Sequence, residues 1–201
     1  MLIATPDEER GSRGIRSLRD ALPSLAAEFG LDIAAGINLD ATSDQGDGDD
    51  GRAIYKGTIG KCLPFAFVVG QSSHASYPFE GVSAQLVAAG IVRAIEANPG
   101  FCERAGDDIS PPPICLESKD LRGGYEVTTP ERVWVAFNWL FYRRTVRDLM
   151  TVFLRAVEDA MREAALRFDA HGATYARLVG QPAPEAAGGE VLTIAMLRER
   201  M

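Results

Sequence analysis

The sequence predicts a mixed α/β protein in which a partial βαβ segment precedes a two-layer α+β domain. Apolar residues recur at three- and four-residue spacing between residues 12 and 29, and an apolar run flanks that stretch on each side, which is typical of a βαβ unit. Residues 52–168 then follow the order strand, strand, helix, strand, strand, helix. This order favours a small antiparallel sheet with two helices on one face.

The βαβ segment occupies residues 2–39. Its apolar ends, residues 2–5 and 31–39, predict two parallel strands joined by a right-handed helical crossover. Ser12 is the predicted N-cap of the helix, and Gly30 stands where a terminating glycine belongs. Pro23 predicts a kink within the helix.

The α+β domain is predicted from alternating and helical patterns in turn. Strands are expected at residues 53–56 and 61–69, joined by a glycine turn, and later at residues 114–116 and 132–142. A helix follows Pro78 and ends near Asn98, and a second begins at Thr145 and ends near Phe168. In the last strand, Phe137, Trp139 and Phe141 share one face. The apolar opposite face indicates either a partner surface or a fully buried core strand.

Three regions follow from these elements: the βαβ region at residues 1–51, the α+β domain at residues 52–168, and a tail at residues 169–201. Residues 40–51 are acidic and glycine-rich, which is typical of a hinge. The chain opens on an apolar run, so we expect it to be truncated from a longer one. A short edge strand at a natural start is the alternative.

Composition narrows the classes of partner. The chain has 201 residues with 21 basic and 28 acidic side chains, hence a net charge of −7, which disfavours nucleic acid and anionic membranes as partners. The longest apolar run, residues 63–69, is far shorter than the roughly 20 residues that span a bilayer. Three cysteines at unsuitable spacings for a zinc knuckle or disulfide framework are interpreted as free thiols in a reducing cytoplasm.

Candidate site residues lie at the ends of the predicted strands. Glu8 and Glu9 follow the first strand and Asp40 closes the second, so their carboxylates would share the rim where α/β sheets bind ligands. Carboxylate oxygens suit a metal ion, and a neighbouring carboxylate can take a proton from bound water. An acidic first helical turn is the alternative interpretation of Glu8 and Glu9. His74, on a polar loop, is either a donor to a reacting oxyanion or an ordinary exposed histidine.

The order of several motifs resembles the M20 family of zinc-dependent amidohydrolases and peptidases, most closely its arginine-utilisation (RocB-like) branch. These motifs are Thr5-Pro-Asp-Glu-Glu-Arg-Gly-Ser12, Asn38-Leu-Asp40, Lys56-Gly-Thr-Ile-Gly-Lys61, Gly70-Gln-Ser-Ser-His-Ala-Ser76, Gly81-Val-Ser-Ala84, Ser110-Pro-Pro-Pro113 and Thr129-Pro130.

The resemblance implies a role for each matched residue. Glu8 would be the general base, Glu9 and Asp40 would each bind one ion of a two-zinc site (cobalt or manganese being possible), and His74 would stabilise the oxyanion in a partner subunit. Residues 1–51 would be a partial catalytic domain, to which residues 169–201 return incompletely. The α+β domain at residues 52–168 would be the lid, which also forms the homodimer. A small peptide or acylated amino acid would be the substrate.

The chain departs from the family in its metal ligands. The family's other ligand residues, a histidine and a bridging aspartate before the Glu8 motif and a histidine near the end of the catalytic domain, have no counterpart. The family's Asp-x-Arg strand here reads Asn138-Trp139-Leu140, so the arginine for a substrate carboxylate is missing. We therefore expect a fragment of a metal-dependent hydrolase with little activity alone. The alternatives are a non-catalytic dimerisation module with the same lid fold and the product of an interrupted reading frame.

Overall fold

A computed structural model describes residues 2–39 and 57–201. The chain divides into two compact units, Met1–Tyr55 and Lys56–Met201, and each is described by itself. Within the described residues, no helix combines the length and hydrophobicity needed to cross a membrane. The three cysteines all lie in the described part and are free thiols, as predicted.

The first unit contains one long helix, α1 (Arg13–Glu28), preceded by a single 3₁₀ turn at Glu8–Arg10. The helix was predicted correctly and contains Pro23. Its end is the predicted glycine: Gly30 has a left-handed backbone with φ of 59°, and the Leu31 N–H donates to the Ala26 carbonyl at 2.8 Å. This backbone pattern caps the last helical carbonyls.

The two strands predicted beside α1 are not formed. Residues 2–7 and 31–39 are irregular, which corrects the βαβ part of the prediction. The apolar side chains that suggested strands remain outside any core: Leu2 is 90% exposed, Ile37 88% and Leu39 82%. A parallel sheet forms where both faces are covered, and the described part of this unit provides no such cover.

The second unit is built on an antiparallel sheet with β6 (Arg132–Phe141) at its centre. On one edge of β6 lie β1 (Gly60–Cys62) and β2 (Phe65–Val69), and on the other lies β5 (Ile114–Asp120). The register of β1 and β2 on β6 is continuous, so they form one strand interrupted at Leu63 and Pro64. Proline has no N–H for the ladder, but the Pro64 carbonyl still accepts from Phe137 N–H at 3.0 Å.

The strand predicted at 61–69 is therefore confirmed with an interruption, and its proposed hairpin partner at 53–56 lies outside the described residues. A minor antiparallel pair, β3 (Arg104–Ala105) and β4 (Asp108–Ile109), was not predicted.

Three helices complete the second unit: α2 (Ala84–Ile95), α3 (Val146–Val179) and the short α4 (Ile194–Arg200). Thr145 caps α3 as predicted, in a capping box with Asp148. The helix does not end near Phe168 but continues to Val179 and so includes His171. Gly172, in this last part of α3, lets Pro184 and Phe79 pack closely on the helix, because a Cβ there would lie 2.8 Å from Pro184 and 3.2 Å from Phe79.

The core lies between one face of the sheet and the two long helices. Alternate residues of β6 are fully buried, as the pattern predicted, and they pack with α2 and α3 in a single cluster that includes Val133, Val135, Phe137, Trp139, Ile91, Ile95, Leu149 and Phe153. On the opposite face, Phe65 stacks on Trp134 with ring centroids 4.1 Å apart, and Phe67 is 50% exposed. Within the described part of the second unit, the sheet is thus apolar on both faces and covered on one. The mixed α/β class of the prediction is confirmed.

The junction between β6 and α3 is held by one carboxylate. Glu103 accepts hydrogen bonds from the backbone N–H groups of Tyr142, Arg143 and Arg144 at 2.8–3.0 Å. Burial alone would raise the pKa of Glu103, but these donors and the Arg144 charge together hold it below its usual value. The ionised carboxylate therefore stabilises the fold at neutral pH.

We expect Glu103→Gln to lower the free energy of unfolding by about 1–2 kcal/mol at pH 7, because hydrogen bonds to a charged acceptor are lost. Since the folded pKa is lowered, the contribution is present above the unfolded pKa of about 4.3 and is lost as pH falls through the folded value. Urea unfolding at several pH values should show the variant and the parent converging in acid. Glu117→Gln, on an exposed carboxylate of β5, is the control, and an equal loss there would contradict the assignment.

Candidate functional site

His74 lies on a segment that extends the β2–β6 ladder beyond both strands. The Gly70 N–H donates to the Glu131 carbonyl at 2.7 Å, and His74 then forms an isolated antiparallel bridge with Thr128. On either side of the bridge, Thr129 N–H donates to Ser73 O at 2.8 Å and Ala75 N–H donates to Val127 O at 3.0 Å. The loop that carries His74 is therefore fixed by backbone pairing to the strand that leads into β6.

One extra residue lies on the His74 side of this extension. Val69 pairs with Arg132 and His74 with Thr128, so five residues of advance on one side match four on the other. An extra residue of this kind bends the strand and changes the direction of side chains, and such bulges are frequent beside functional sites.

Thr129 adds side-chain bonds to the same loop. Its Oγ1 accepts from the Ser73 N–H at 2.9 Å, and its carbonyl accepts from Ser72 Oγ at 2.8 Å. Ser73 is only 8% exposed. These bonds leave little freedom to the two residues that precede His74.

Two glycines let the loop pack against the start of α2. A Cβ at Gly70 would lie 2.2 Å from the Val82 carbonyl oxygen, and a Cβ at Gly81 would lie 2.4 Å from the Gln71 carbonyl oxygen. In that space, Gln71 N–H donates to Val82 O at 2.9 Å. The glycines of both sequence motifs thus serve a close backbone contact, which no larger residue permits without a shift.

The His74 ring is exposed, and one of its nitrogens is already bonded. The Ser76 N–H donates to Nδ1 at 3.1 Å. Since Nδ1 is an acceptor, the hydrogen of the neutral ring lies on Nε2. The geometry therefore presents an N–H donor to solvent, which is what stabilisation of a developing oxyanion requires.

The acidic motif of the first unit forms a tight turn. Glu8 is exposed in the 3₁₀ turn, and its carbonyl accepts from Ser12 Oγ at 3.0 Å. Asp7 and Ser12, which flank the turn, have left-handed backbones with φ of 69° and 53°. Such conformations in residues other than glycine carry strain, and strain concentrates at functional sites. Ser12 precedes α1 as predicted, but it makes no side-chain cap.

The predicted metal ligands are not brought together by the described residues. Glu9 lies in the same 3₁₀ turn, whereas Asp40 lies outside the described residues. Across residues 2–39 and 57–201, no group of three or more His, Cys, Asp or Glu side chains is placed to hold a metal ion. The donors described thus do not amount to a metal site, and the roles of Glu9 and Asp40 stay predictions.

Sequence reasoning missed the residues that support His74. Thr129 was noted only as part of a motif, and its bonds with Ser72 and Ser73 were not predicted. These contacts are distant in sequence, since 56 positions separate Ser73 from Thr129. Asn138, noted for replacing an aspartate, has a buried Oδ1 with no hydrogen-bond partner within the described part of the chain.

The chain is similar to two proteins of Bacillus subtilis. It is 34% identical over 163 residues to the uncharacterized protein YqjN, covering 81% of this chain and 30% of YqjN. It is 27% identical over 202 residues to the protein RocB, covering 100% of this chain and 36% of RocB. The chain therefore spans about a third of the length of the curated relatives it matches. No family model matches it.

Among solved structures, the chain is similar to a tripeptidase from Staphylococcus aureus and to the aminopeptidase PepT from Bacillus cereus. The TM-scores are 0.38 and 0.34, at 14% and 15% identity. The tripeptidase match covers 70% of this chain and 40% of the other, and the PepT match covers 65% and 38%. Scores this low do not establish a shared fold.

We expect Thr129→Val to weaken the His74 loop, because the hydroxyl that accepts from Ser73 N–H is removed without a change of shape. The loss should be about 1 kcal/mol, measured as faster hydrogen exchange of the Ser73 amide. Thr128→Val is the matched control, since among the described residues the Thr128 hydroxyl donates only to the Glu126 carboxylate, at 3.2 Å. Unchanged exchange in Thr129→Val would show that the hydroxyl does not hold the loop.

Proposed function

We propose that this chain is part of an M20-like hydrolase that cleaves an amide or peptide bond. The similarity to RocB along the whole chain supports this proposal, together with the motif order around Glu8 and His74. The observation that carries it is the His74 ring, held at Nδ1 by the Ser76 amide with its Nε2 facing solvent. A role in arginine utilisation and a cytoplasmic location belong to the same proposal.

In this proposal, His74 and Glu8 have complementary tasks. The Nε2–H of His74 donates to the oxygen of the scissile carbonyl as negative charge develops on it. Glu8, exposed at a strained turn, removes a proton from the attacking water and delivers it to the leaving amine. A small peptide or an acylated amino acid is the substrate class that this chemistry serves.

A metal centre is part of the family resemblance, with Glu9 and Asp40 as one ligand each. Zinc, cobalt or manganese would polarise the carbonyl and acidify the water. The described residues do not form such a centre, so we assign the chain no metal-dependent step. This shortage also leads us to propose that the complete site needs ligands outside residues 2–39 and 57–201.

The first test is an assay of this chain with dipeptides and acylated amino acids in the presence of zinc, manganese or cobalt. We expect little turnover, because the described residues offer too few ligands for the two-metal site that the resemblance implies. Robust turnover that Glu8→Gln abolishes would contradict the proposal that the site is incomplete, while supporting the hydrolase itself.

The second test places this chain in RocB, in exchange for the stretch that it matches. If the chimera hydrolyses an acylated amino acid, Glu8→Gln should lower kcat/KM by about 10²–10⁴-fold, and His74→Asn by about 10²–10³-fold. Glu28→Gln and His171→Asn, both on exposed helical residues, are the matched controls. A folded chimera without activity, or equal effects in variants and controls, would instead favour a non-catalytic dimerisation module.

We also propose that the second unit forms a homodimer. The support is the uncovered face of the sheet, where Phe65 and Phe67 are 41% and 50% exposed beside the partly buried Trp134. The adjoining edge strand contributes Ile114 and Leu116, which are 39% and 60% exposed. A contiguous apolar surface of aromatic residues is typical of a protein contact. In the hydrolase, such a dimer would present His74 to the partner's site.

Phe67→Asp should weaken the homodimer at least tenfold. Burial of a phenylalanine contributes roughly 1.5–3 kcal/mol, and about 1.4 kcal/mol corresponds to a tenfold change in the dissociation constant. Light scattering across a concentration series measures the change. Tyr125→Asp, at a site 92% exposed, is the control and should leave the dimer intact. A dimer unaffected by Phe67→Asp would place the contact on another surface.

A further inference from the structure

The segment that pairs with His74 is itself held from its other side by an ion pair. Arg122 follows the last residue of β5, Asp120, by two positions. Its Nε donates to Asp120 Oδ2 at 2.7 Å, its Nη2 lies 2.5 Å from the same oxygen, and its backbone N–H donates to Asp120 Oδ1 at 3.1 Å. The remaining terminal nitrogen, Nη1, donates to the Thr128 carbonyl at 2.6 Å. The guanidinium thus joins the end of β5 to the residue opposite His74.

The Thr128 carbonyl is available to Arg122 because of the pairing geometry. In the bridge between His74 and Thr128, the bonds are made by the neighbouring residues, Thr129 with Ser73 and Ala75 with Val127. The polar backbone groups of Thr128 itself therefore point away from His74. Arg122 donates to this outward-facing carbonyl, so the segment from residue 127 to residue 129 is hydrogen-bonded along both edges.

Arginine suits this place because its planar fork can serve two acceptors at once. The side chains of Arg122 and Asp120 are half-buried, with 25% and 31% of their surface exposed. Their hydrogen bond lowers the pKa of Asp120 and raises the pKa of Arg122. Each residue therefore stabilises the charged form of the other. The pair stays ionised over the neutral range and keeps the fork fixed.

We propose that Arg122, oriented by Asp120, is a positioning residue for His74. It acts by holding the Thr128 carbonyl, which holds the paired segment from residue 127 to residue 129 against the loop and fixes the direction of the His74 ring. This inference rests on the proposed role of His74 in hydrolysis. Arg122 touches no reacting atom, so its effect is on the placement of the Nε2–H donor.

The chain offers an internal reference for the test, because it contains two histidines. His74 lies on the held loop and His171 is exposed within α3. Nitrogen and proton resonances of the two rings in the 201-residue chain report the tautomer and surroundings of each. Arg122→Ala should shift or broaden the His74 signals, reduce its Nε2–H tautomer, and leave the His171 signals unchanged.

The same sample gives amide exchange along the loop. In Arg122→Ala we expect the Ala75 and Ser76 amides to exchange at least tenfold faster, since they depend on the residue 127–129 segment and on the His74 ring. Amides of the core strand, such as Val135 and Phe137, should keep their parent rates. Equal acceleration in the core would show a general loss of stability and overturn the positioning role.

Arg132→Ala is the matched control. Arg132 and Arg122 border one cavity of about 240 Å³ and carry the same charge. Within the described part of the chain, the Arg132 side chain pairs only with Glu131, at 3.4 Å. If it perturbs His74 as strongly as Arg122→Ala, the effect is one of charge and the proposal fails. Arg122→Lys keeps the charge without the fork and should restore the His74 signals only in part. Full restoration would also overturn the proposal.

The test of the Arg122 positioning role can fail or succeed independently of the test of the proposed hydrolase function. The ring resonances and exchange rates measure the placement of His74 without any turnover. In the RocB chimera, Arg122→Ala should lower kcat by about tenfold or more with little change in KM. Unperturbed His74 signals would refute the positioning role even if His74 proves essential, and perturbed signals would support it even if the chain acts on no amide.

Discussion

Everything in the second unit depends on the burial of one face of β6. Four alternate residues of this strand are fully buried against the two long helices, and both edges of the strand carry partners. A strand so placed cannot slide, because a shift of one residue would turn the buried set toward solvent. The register of β6 therefore fixes where β2 ends, and with it the point at which the His74 loop begins.

The candidate site uses this fixed register rather than a core of its own. Beyond Val69 and Arg132 the two segments remain paired through backbone hydrogen bonds but bury little side-chain surface. The His74 ring therefore stays exposed while its backbone is held. Precision in a surface loop normally costs conformational entropy. Here that cost is offset by hydrogen bonds to the segment that leads into β6, residues 127–131. Gly70 and Gly81 contribute as well, because they let the loop pack closely against the start of α2.

The parts of this structure that the sequence predicted are those governed by local periodicity. The alternation of β6, the capping box at Thr145 and the glycine at the end of α1 all act within a few residues. The apolar runs at residues 2–5 and 31–39 were misleading because an apolar run becomes a strand only with a partner and cover. The part of α3 beyond Phe168 packs at Gly172 against Phe79 and Pro184, contacts that the local pattern around Phe168 does not reveal.

The site shows the same limit more sharply. His74 was predicted from its residue type and its loop, yet what gives it a direction is a bond from the Ser76 amide and a bridge to Thr128, 54 residues away by the difference 128 − 74. An exposed histidine and a positioned one have the same local sequence. The role of Glu8 depends in the same way on structure beyond its local sequence, namely on the strained backbone at Asp7 and on the groups that approach the Glu8 carboxylate. A sequence thus identifies groups capable of chemistry, whereas the long-range pairing of the chain determines which of them are held in a direction that chemistry can use.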